Sequence, residues 1–501
     1  MIRSILEYLE RTAARVPDRI AFCDDHGSYT YAELMARSRA IGSFLAGCTS
    51  KGGVVAMLMD GHGLQSIPAM LGVLYAGCAY SPLDPATPAE RLGLLLDQMR
   101  PACIMADEKG RKALSGLRET AIPVVDCSQA EQTPEKPDVL EMIRQGSTPA
   151  DPLSVLFTSG STGIPKGSVQ SHSSYIRYTQ ATNRVYGFDE NVVFGCQSPF
   201  FYANSIIDIY PPIALGAKVY LLPSGCLTFP KRFAECMREH RITELTMTPS
   251  SFLALADALP PGSLPELRYG IMSGEMMPWK PLSKWMRSAP NADFYNFYGS
   301  TEAFSVAVGK VTGEHSPEEI LPVGRPFQEV HILFLDENGQ EADPQVGGEM
   351  LVSNPWLSDG YLHDVPRTEA VFLVDPLGGK TGERFYRTGD RGRLNEKGEL
   401  LVLGRRDAQI KHHGYRMEIG EVEAALRSLP GWTDGCVLYD QKSDLLYCFW
   451  TGALTEKALQ TGLKSKLPRA MLPDKFVCLE ALPHTATRKL DRAALREKYM
   501  V

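Results

Sequence analysis

Residues 156–172 read LFTSGSTGIPKGSVQSH, and they carry the residue types of a phosphate cradle. Thr158, Ser159, Ser161 and Thr162 supply hydroxyls, and Lys166 adds a cation behind Pro165. Gly160, Gly163 and Gly167 let the backbone bend and approach a ligand closely. Successive backbone N–H groups in such a turn form an anion-binding concavity. Hydroxyls, amides and a lysine together suit a nucleotide triphosphate. A flexible Gly/Ser linker shares the composition but needs no lysine behind a proline. The loop also directly follows Leu153, Val155, Leu156 and Phe157, an apolar run of the buried-strand kind. The common ATPase loop requires Gly, four residues, then Gly-Lys-Ser/Thr. Here Pro165, Lys166 and Gly167 follow Gly160 and its four successors, so that motif is excluded.

Further segments bring chemistry of their own. Ser273-Gly274-Glu275 follows a short apolar strand, and a glycine at a strand's C-terminal end admits a ligand. In Asn296-Phe297-Tyr298-Gly299-Ser300-Thr301-Glu302, Tyr298 can stack on a purine and Thr301 can hydrogen-bond a phosphate. Glu302 can hold Mg²⁺, a hard cation that prefers oxygen ligands. Asp390, in Tyr386-Arg387-Thr388-Gly389-Asp390, can accept both hydroxyls of a ribose. His412-His413 suggests a metal or acid–base pair, but strand neighbours point to opposite faces, and the sequence offers no third ligand nearby. By residue type alone, Lys489 is a solvated C-terminal charge.

The elements that must position these residues alternate strand-like and helical patterns, which predicts an α/β protein of layered sheets and helices. Strands are expected at 54–58, 218–222, 242–247 and 269–272, with helices at 67–75 and near the N-terminus. In that first segment Ile5, Leu6, Leu9 and Ala13 recur at helical spacing between charges, an amphipathic helix rather than a signal peptide. Pro82, Pro85 and Pro88 fix a loop within 75–91, read as structural. Past residue 400 the texture changes, and the last hundred or so residues suit a small α+β domain.

The 501 residues predict two to four domains. Net charge is −7 with Lys and Arg scattered, which gives no support for nucleic-acid or anionic-membrane binding. No apolar run reaches the length of a membrane span. The eleven cysteines are dispersed without a CxxC pair, so reduced thiols in a cytoplasmic protein are expected, with Cys23, Cys78 and Cys103 in the core.

These motifs, in this order, resemble those of the adenylate-forming superfamily: acyl-CoA ligases, nonribosomal peptide synthetase adenylation domains and luciferases. The resemblance covers nearly the whole chain. It implies a large N-terminal adenylation core, 1–406, and a small mobile C-terminal domain, 407–501, hinged at Asp407. It implies ATP and Mg²⁺ as cofactors. Thr158, Ser159, Gly160, Ser161, Thr162 and Lys166 would hold the phosphates. Gly274 and Glu275 would border adenine and the acid's side chain. Asn296, Tyr298, Gly299, Asp390 and Arg405 would complete the nucleotide site. Thr301 and Glu302 would serve catalysis, with Glu302 the metal ligand. Gly414 would line a phosphopantetheine channel. Lys489 matches the catalytic lysine, although Arg488 precedes it where the family usually has glycine.

The implied reaction has two steps. A carboxylate attacks the α-phosphate of ATP, giving an acyl adenylate and pyrophosphate, and a thiol then takes the acyl group. Lys489 would serve the first step. Rotation at Asp407 would then replace it with the Gly414 loop, as hinges allow.

Residues 202–222 resemble the same stretch of D-alanine–carrier-protein ligases, notably Asp208-Ile209-Tyr210-Pro211 and Gly216. The acid pocket would comprise Ala203, Asn204, Ile207, Ser273, Phe297 and Ser305. Amino-acid-activating relatives carry an aspartate where this chain has Ala203, and that aspartate pairs with the α-ammonium. Burying an ammonium without a counter-charge is costly. The expected substrate is therefore a small carboxylic acid without an α-amine, loaded on a separate phosphopantetheinylated carrier protein. An amino-acid ligase in which another carboxylate such as Asp208 replaces the anchor, and an acyl-CoA ligase, are the alternatives. An adenylate-binding regulator without catalysis is disfavoured by Lys489, Glu302 and Asp390.

Overall fold

The computed structural model describes residues 2–117, 121–159, 165–223, 225–275, 277–316, 319, 321–405, 409–441, 443–483 and 490–500. Ser161, Thr162, Gly160, Asp407 and Lys489 lie outside these residues.

Two large sheets form the core. One has seven strands in the order Gly360–Tyr361, Lys166–Ser171, Pro152–Thr158, Ala79–Leu83, Val54–Leu58, Cys103–Ala106 and Val124–Asp126. The other has nine and is built around the parallel strands Val193–Cys196, Glu244–Met247 and Tyr269–Ser273. Central parallel strands are covered on both faces, so their sequences run apolar rather than alternating. Val54–Leu58 and Ala79–Leu83 are of this kind.

Helices fill the space between the sheets. Tyr31–Leu45 starts with a capping box: the Thr30 hydroxyl accepts from the Glu33 N–H, and Glu33 accepts from the Thr30 N–H. It packs closely on Ser66–Tyr75 because both contact points are glycines. A Cβ on Gly42 would come within 2.5 Å of Tyr75, and one on Gly72 within 2.5 Å of Ile41.

A five-stranded sheet follows, in which Leu400–Arg405 pairs with Arg384–Leu394. The C-terminal residues form a two-stranded hairpin, Gln409–His412 with Tyr415–Glu418, and a three-stranded sheet from Asp434–Asp440, Leu445–Thr451 and Lys475–Cys478. The fold is thus α/β with layered sheets and helices and a smaller α+β C-terminal part. Strands were expected within a residue or two of where they stand, and Cys23, Cys78 and Cys103 are buried. Among the described residues no helix is long and apolar enough to cross a membrane.

Candidate active site

Glu302 sits in the turn between the antiparallel strands Asp293–Ser300 and Phe304–Lys310. The turn is tight because residue 299 is glycine: a Cβ there would lie 2.0 Å from the Phe304 carbonyl oxygen. The Glu302 side chain is fully buried. Oε1 accepts from the Tyr361 hydroxyl at 2.9 Å and lies 3.4 Å from Lys166 Nζ. Oε2 accepts from the Arg416 guanidinium. Burial alone would raise its pKa. The Arg416 and Lys166 charges and the hydrogen bonds reverse that and hold it well below the carboxylate range.

Thr158 ends the strand Pro152–Thr158 beside this cluster, and Ser159 follows it. The buried Thr158 hydroxyl has no hydrogen-bond partner among the described residues. Such a group is costly unless something pairs with it. The Ser159 hydroxyl donates to the Arg416 carbonyl at 3.0 Å. Lys166 is buried, which lowers its pKa, with Glu302 opposing the fall.

Asp390 and Arg405 are cross-strand partners, so their side chains meet: Arg405 Nη1 donates to Oδ1 at 2.7 Å. The Tyr298 hydroxyl donates to Oδ2. These residues line a cleft of about 1040 Å³, together with Gly274, Glu275, Asn296, Lys411 and Arg492. Asn296 donates to the Pro322 carbonyl at 3.2 Å, while its buried Oδ1 has no partner among the described residues. Glu275 accepts from the Ser250 N–H at 2.8 Å and the Ser250 hydroxyl at 3.2 Å, and burial raises its pKa.

A smaller cavity of about 230 Å³ adjoins this cleft. Ala203, Asn204, Ser273, Phe297 and Ser305 line it, with Tyr178, Tyr202, Thr248 and Thr301. Ser305 and Tyr178 share a hydrogen bond of 3.2 Å. Ile207, in the 3₁₀ turn Ala203–Asp208, is buried in the apolar core and is not among the lining residues. No Asp or Glu lines the cavity among the described residues. Asp208 lies off it, and neither of its oxygens has a well-formed hydrogen bond among the described residues. Burial holds the Asp208 carboxyl well above its ordinary pKa, and the nearby Glu244 charge adds to the rise. Glu244 is itself pushed up by burial to about 8.

The hairpin at 409–418 closes one side of the cavity. His413 and Gly414 make its two-residue turn, with φ of 49° and 79°. Such turns need positive φ at both positions. Gly414 packs so tightly that a Cβ would lie 2.7 Å from Thr248. The Tyr415 ring meets Tyr202 edge-on at 5.9 Å. Behind the hairpin, Arg91 and Glu421 form a buried ion pair. Lys411 is partly buried, and desolvation lowers its pKa to about 8, with Asp390 opposing the fall and Arg416 and Arg405 adding to it.

The opposed-faces expectation for His412 and His413 is corrected. Their ring centroids are 4.1 Å apart, and both reach Asp474. His413 is a turn residue in the left-handed region, so strand alternation does not apply to it.

Sequence reasoning did not single out Arg416, Tyr361, Lys411 or Arg91. Arg416 follows the His412-His413-Gly414-Tyr415 stretch and Arg91 ends the 75–91 segment, but their carboxylate partners are 114 and 330 residues away. Tyr361 stands in no motif and reaches Glu302 because Gly360–Tyr361 pairs with Lys166–Ser171.

The profile described as "AMP-binding enzyme" matches residues 9–362. A D-alanine–D-alanyl carrier protein ligase of Bacillus cereus (strain B4264) is 30% identical over 520 residues, covering 98% of each chain. The chain belongs to the AMP-binding family of adenylate-forming enzymes. A dimodular nonribosomal peptide synthase of Bacillus subtilis (strain 168) is 32% identical over 512 residues, 98% of this chain and 21% of that protein, so the chain spans about a fifth of that relative's length. The adenylation domain AlmE of Vibrio cholerae, solved with glycyl-adenosine-5'-phosphate, shares the fold with a TM-score of 0.85 at 23% identity, covering 100% of this chain and 98% of that one. PA1221, a protein with adenylation and PCP domains, superposes with a TM-score of 0.81 at 27% identity, over 99% of this chain and 84% of that one.

Proposed function

We propose that this chain activates a small carboxylic acid lacking an α-amine, as its acyl adenylate, and passes it to the phosphopantetheine thiol of a separate carrier protein. The observation that carries this reading is the acid-free lining of the small cavity. An ammonium seated there would meet no carboxylate, and Asp208, the candidate replacement, is off the cavity, with burial pushing its pKa up. Phe297 is a bulky member of the lining and suits a short acid.

Adenylation concentrates negative charge on phosphoryl oxygens, where preorganised cations and N–H donors act most strongly. Lys166 and the unpaired Thr158 hydroxyl would hold the leaving phosphates, with Ser159 and the loop that follows. Asp390 and Arg405 would take the ribose and nucleotide, and Asn296 Oδ1 the base. Lys489 would stabilise the attacking carboxylate and the bridging oxygen. Glu302 is a hard oxygen donor kept ionised, so it fits Mg²⁺ once Arg416 withdraws. Bound Mg²⁺ would supply charge neutralisation at the phosphates.

The division between the two bodies belongs at Asp407, where the C-terminal domain would turn. The seated hairpin, with Gly414 against Thr248, is the arrangement suited to the second step, in which a thiol reaches the adenylate. Similarity to the D-alanine ligase over the full length keeps an amino acid as the second reading. A CoA thiol would use the same channel.

Mg²⁺-dependent ATP–pyrophosphate exchange tests the reaction. Lys489→Ala is expected to abolish exchange while ATP still binds. Exchange that survives this change contradicts the assignment.

A further inference from the structure

His412 and His413 each present both ring nitrogens to oxygen acceptors. His412 Nδ1 lies 2.8 Å from the Ala470 carbonyl, and its Nε2 lies 2.8 Å from Asp474 Oδ2. His413 Nδ1 lies 3.0 Å from Asp444 Oδ2, and its Nε2 lies 3.4 Å from Asp474 Oδ1. A neutral imidazole has one N–H and one lone pair. In its neutral form each ring therefore aims a lone pair as well as an N–H at this oxygen-rich group, and the two rings lie 4.1 Å apart over the shared Asp474.

A divalent metal suits two imidazole nitrogens and a carboxylate gathered in this way. From these contacts we infer that His412 Nε2, His413 Nε2 and Asp474 form a binding site for a transition-metal dication of the zinc class. Their ligand atoms all lie within 4.8 Å of one another. Zinc binds imidazole nitrogen and carboxylate oxygen at about 2.0–2.2 Å, so the three donors would draw together around one ion. Three protein ligands leave a fourth position for water.

The surroundings supply a second, independent indication. Metal-bound histidines typically donate their other N–H to a backbone carbonyl or a carboxylate, and ligating carboxylates are themselves hydrogen-bonded. All three conditions are met. Ala470 O faces His412 Nδ1, Asp444 faces His413 Nδ1, and Asp474 Oδ2 accepts the Leu446 N–H at 2.8 Å. Asp444 is anchored in turn by the Tyr439 hydroxyl at 2.8 Å. His412 is buried, while His413 is half exposed and opens the site to solvent. Adjacent histidines can converge here because the left-handed turn at His413 folds its ring back over its neighbour. The site stands on the hairpin that carries Gly414, so occupancy would stiffen that turn. It is separate from Glu302 and its phosphate-side cations.

The test uses the full-length, untagged protein after chelator treatment, titrated with Co²⁺ and followed by visible absorption, then competed with Zn²⁺. The wild type is expected to take up one tight equivalent without thiolate charge-transfer intensity, which distinguishes it from binding at the exposed Cys48 or Cys478. His413→Asn tolerates the left-handed backbone and is expected to lose that equivalent, as is Asp474→Asn. Asp444→Asn is expected to weaken it about 10–100-fold. His331→Ala, at the exposed pair with Glu383, is expected to bind as the wild type. No uptake by the wild type, a thiolate band, or unchanged uptake by His413→Asn would overturn the assignment.

Discussion

Arg416 and Glu302 form a buried ion pair that joins the C-terminal hairpin to the turn between two core strands. On the proposed function this guanidinium occupies the carboxylate that would hold Mg²⁺, so the hairpin and the nucleotide's metal would compete for it.

Arg416→Ala removes that competitor. The apparent affinity for Mg²⁺ in pyrophosphate exchange is expected to rise about tenfold or more, since each 1.4 kcal/mol is a factor of ten. Thiol transfer is expected to slow, because breaking a buried pair costs about 3–5 kcal/mol in the seated arrangement. Magnesium titrations of exchange and of carrier loading separate the two effects. Parallel loss of both would contradict this reading.

Arg91→Ala leaves Glu421 buried without its cation. Burial already raises the Glu421 pKa, and Arg91 opposes that rise. The variant is expected to keep pyrophosphate exchange, to lose carrier loading at least tenfold, and to expose the C-terminal part to protease. Equal loss of both half-reactions would show that the contact does not distinguish them.

Lys411 governs a pH effect. Its pKa in the fold is about 8, below the ordinary lysine value, because the charged form is desolvated there. A depressed pKa stabilises the seated arrangement above the unfolded value, and that contribution is lost as pH falls through about 8. An anion placed in the cleft restores the charged form. AMP binding near pH 8–9 is therefore expected to take up a proton, seen calorimetrically as a dependence of binding enthalpy on buffer ionisation. Lys411→Met should abolish the dependence. Its persistence in that variant would assign the proton to another group.

Ala203→Asp restores a carboxylate to the small cavity. Exchange with amine-free acids is expected to fall roughly 100-fold, because the new charge is buried unpaired. Exchange with the matching amino acids is expected to rise. Kinetics on the acid pairs decide, and a variant that loses both equally would show that Ala203 does not face the substrate's α-position.

Much of this architecture was legible in local sequence. Apolar runs marked Val54–Leu58, Tyr269–Ser273 and the strand before the phosphate loop, and Gly299, Thr301 and Glu302 were singled out together. What sequence could not show is who meets whom across distant elements. Tyr361 reaches Glu302 through an edge strand of two residues, and Arg91 finds Glu421 only after the C-terminal part packs on the core. His413 was misjudged because a two-residue turn, not a continuing strand, sets its ring direction.

The most direct test of the central claim is Mg²⁺-dependent ATP–pyrophosphate exchange with matched short acids, each with and without its α-amine. Faster exchange with the amine-free member of each pair is the predicted result. Faster exchange with the amino acids, D-alanine included, would contradict it and mean that a group outside the cavity lining holds the ammonium.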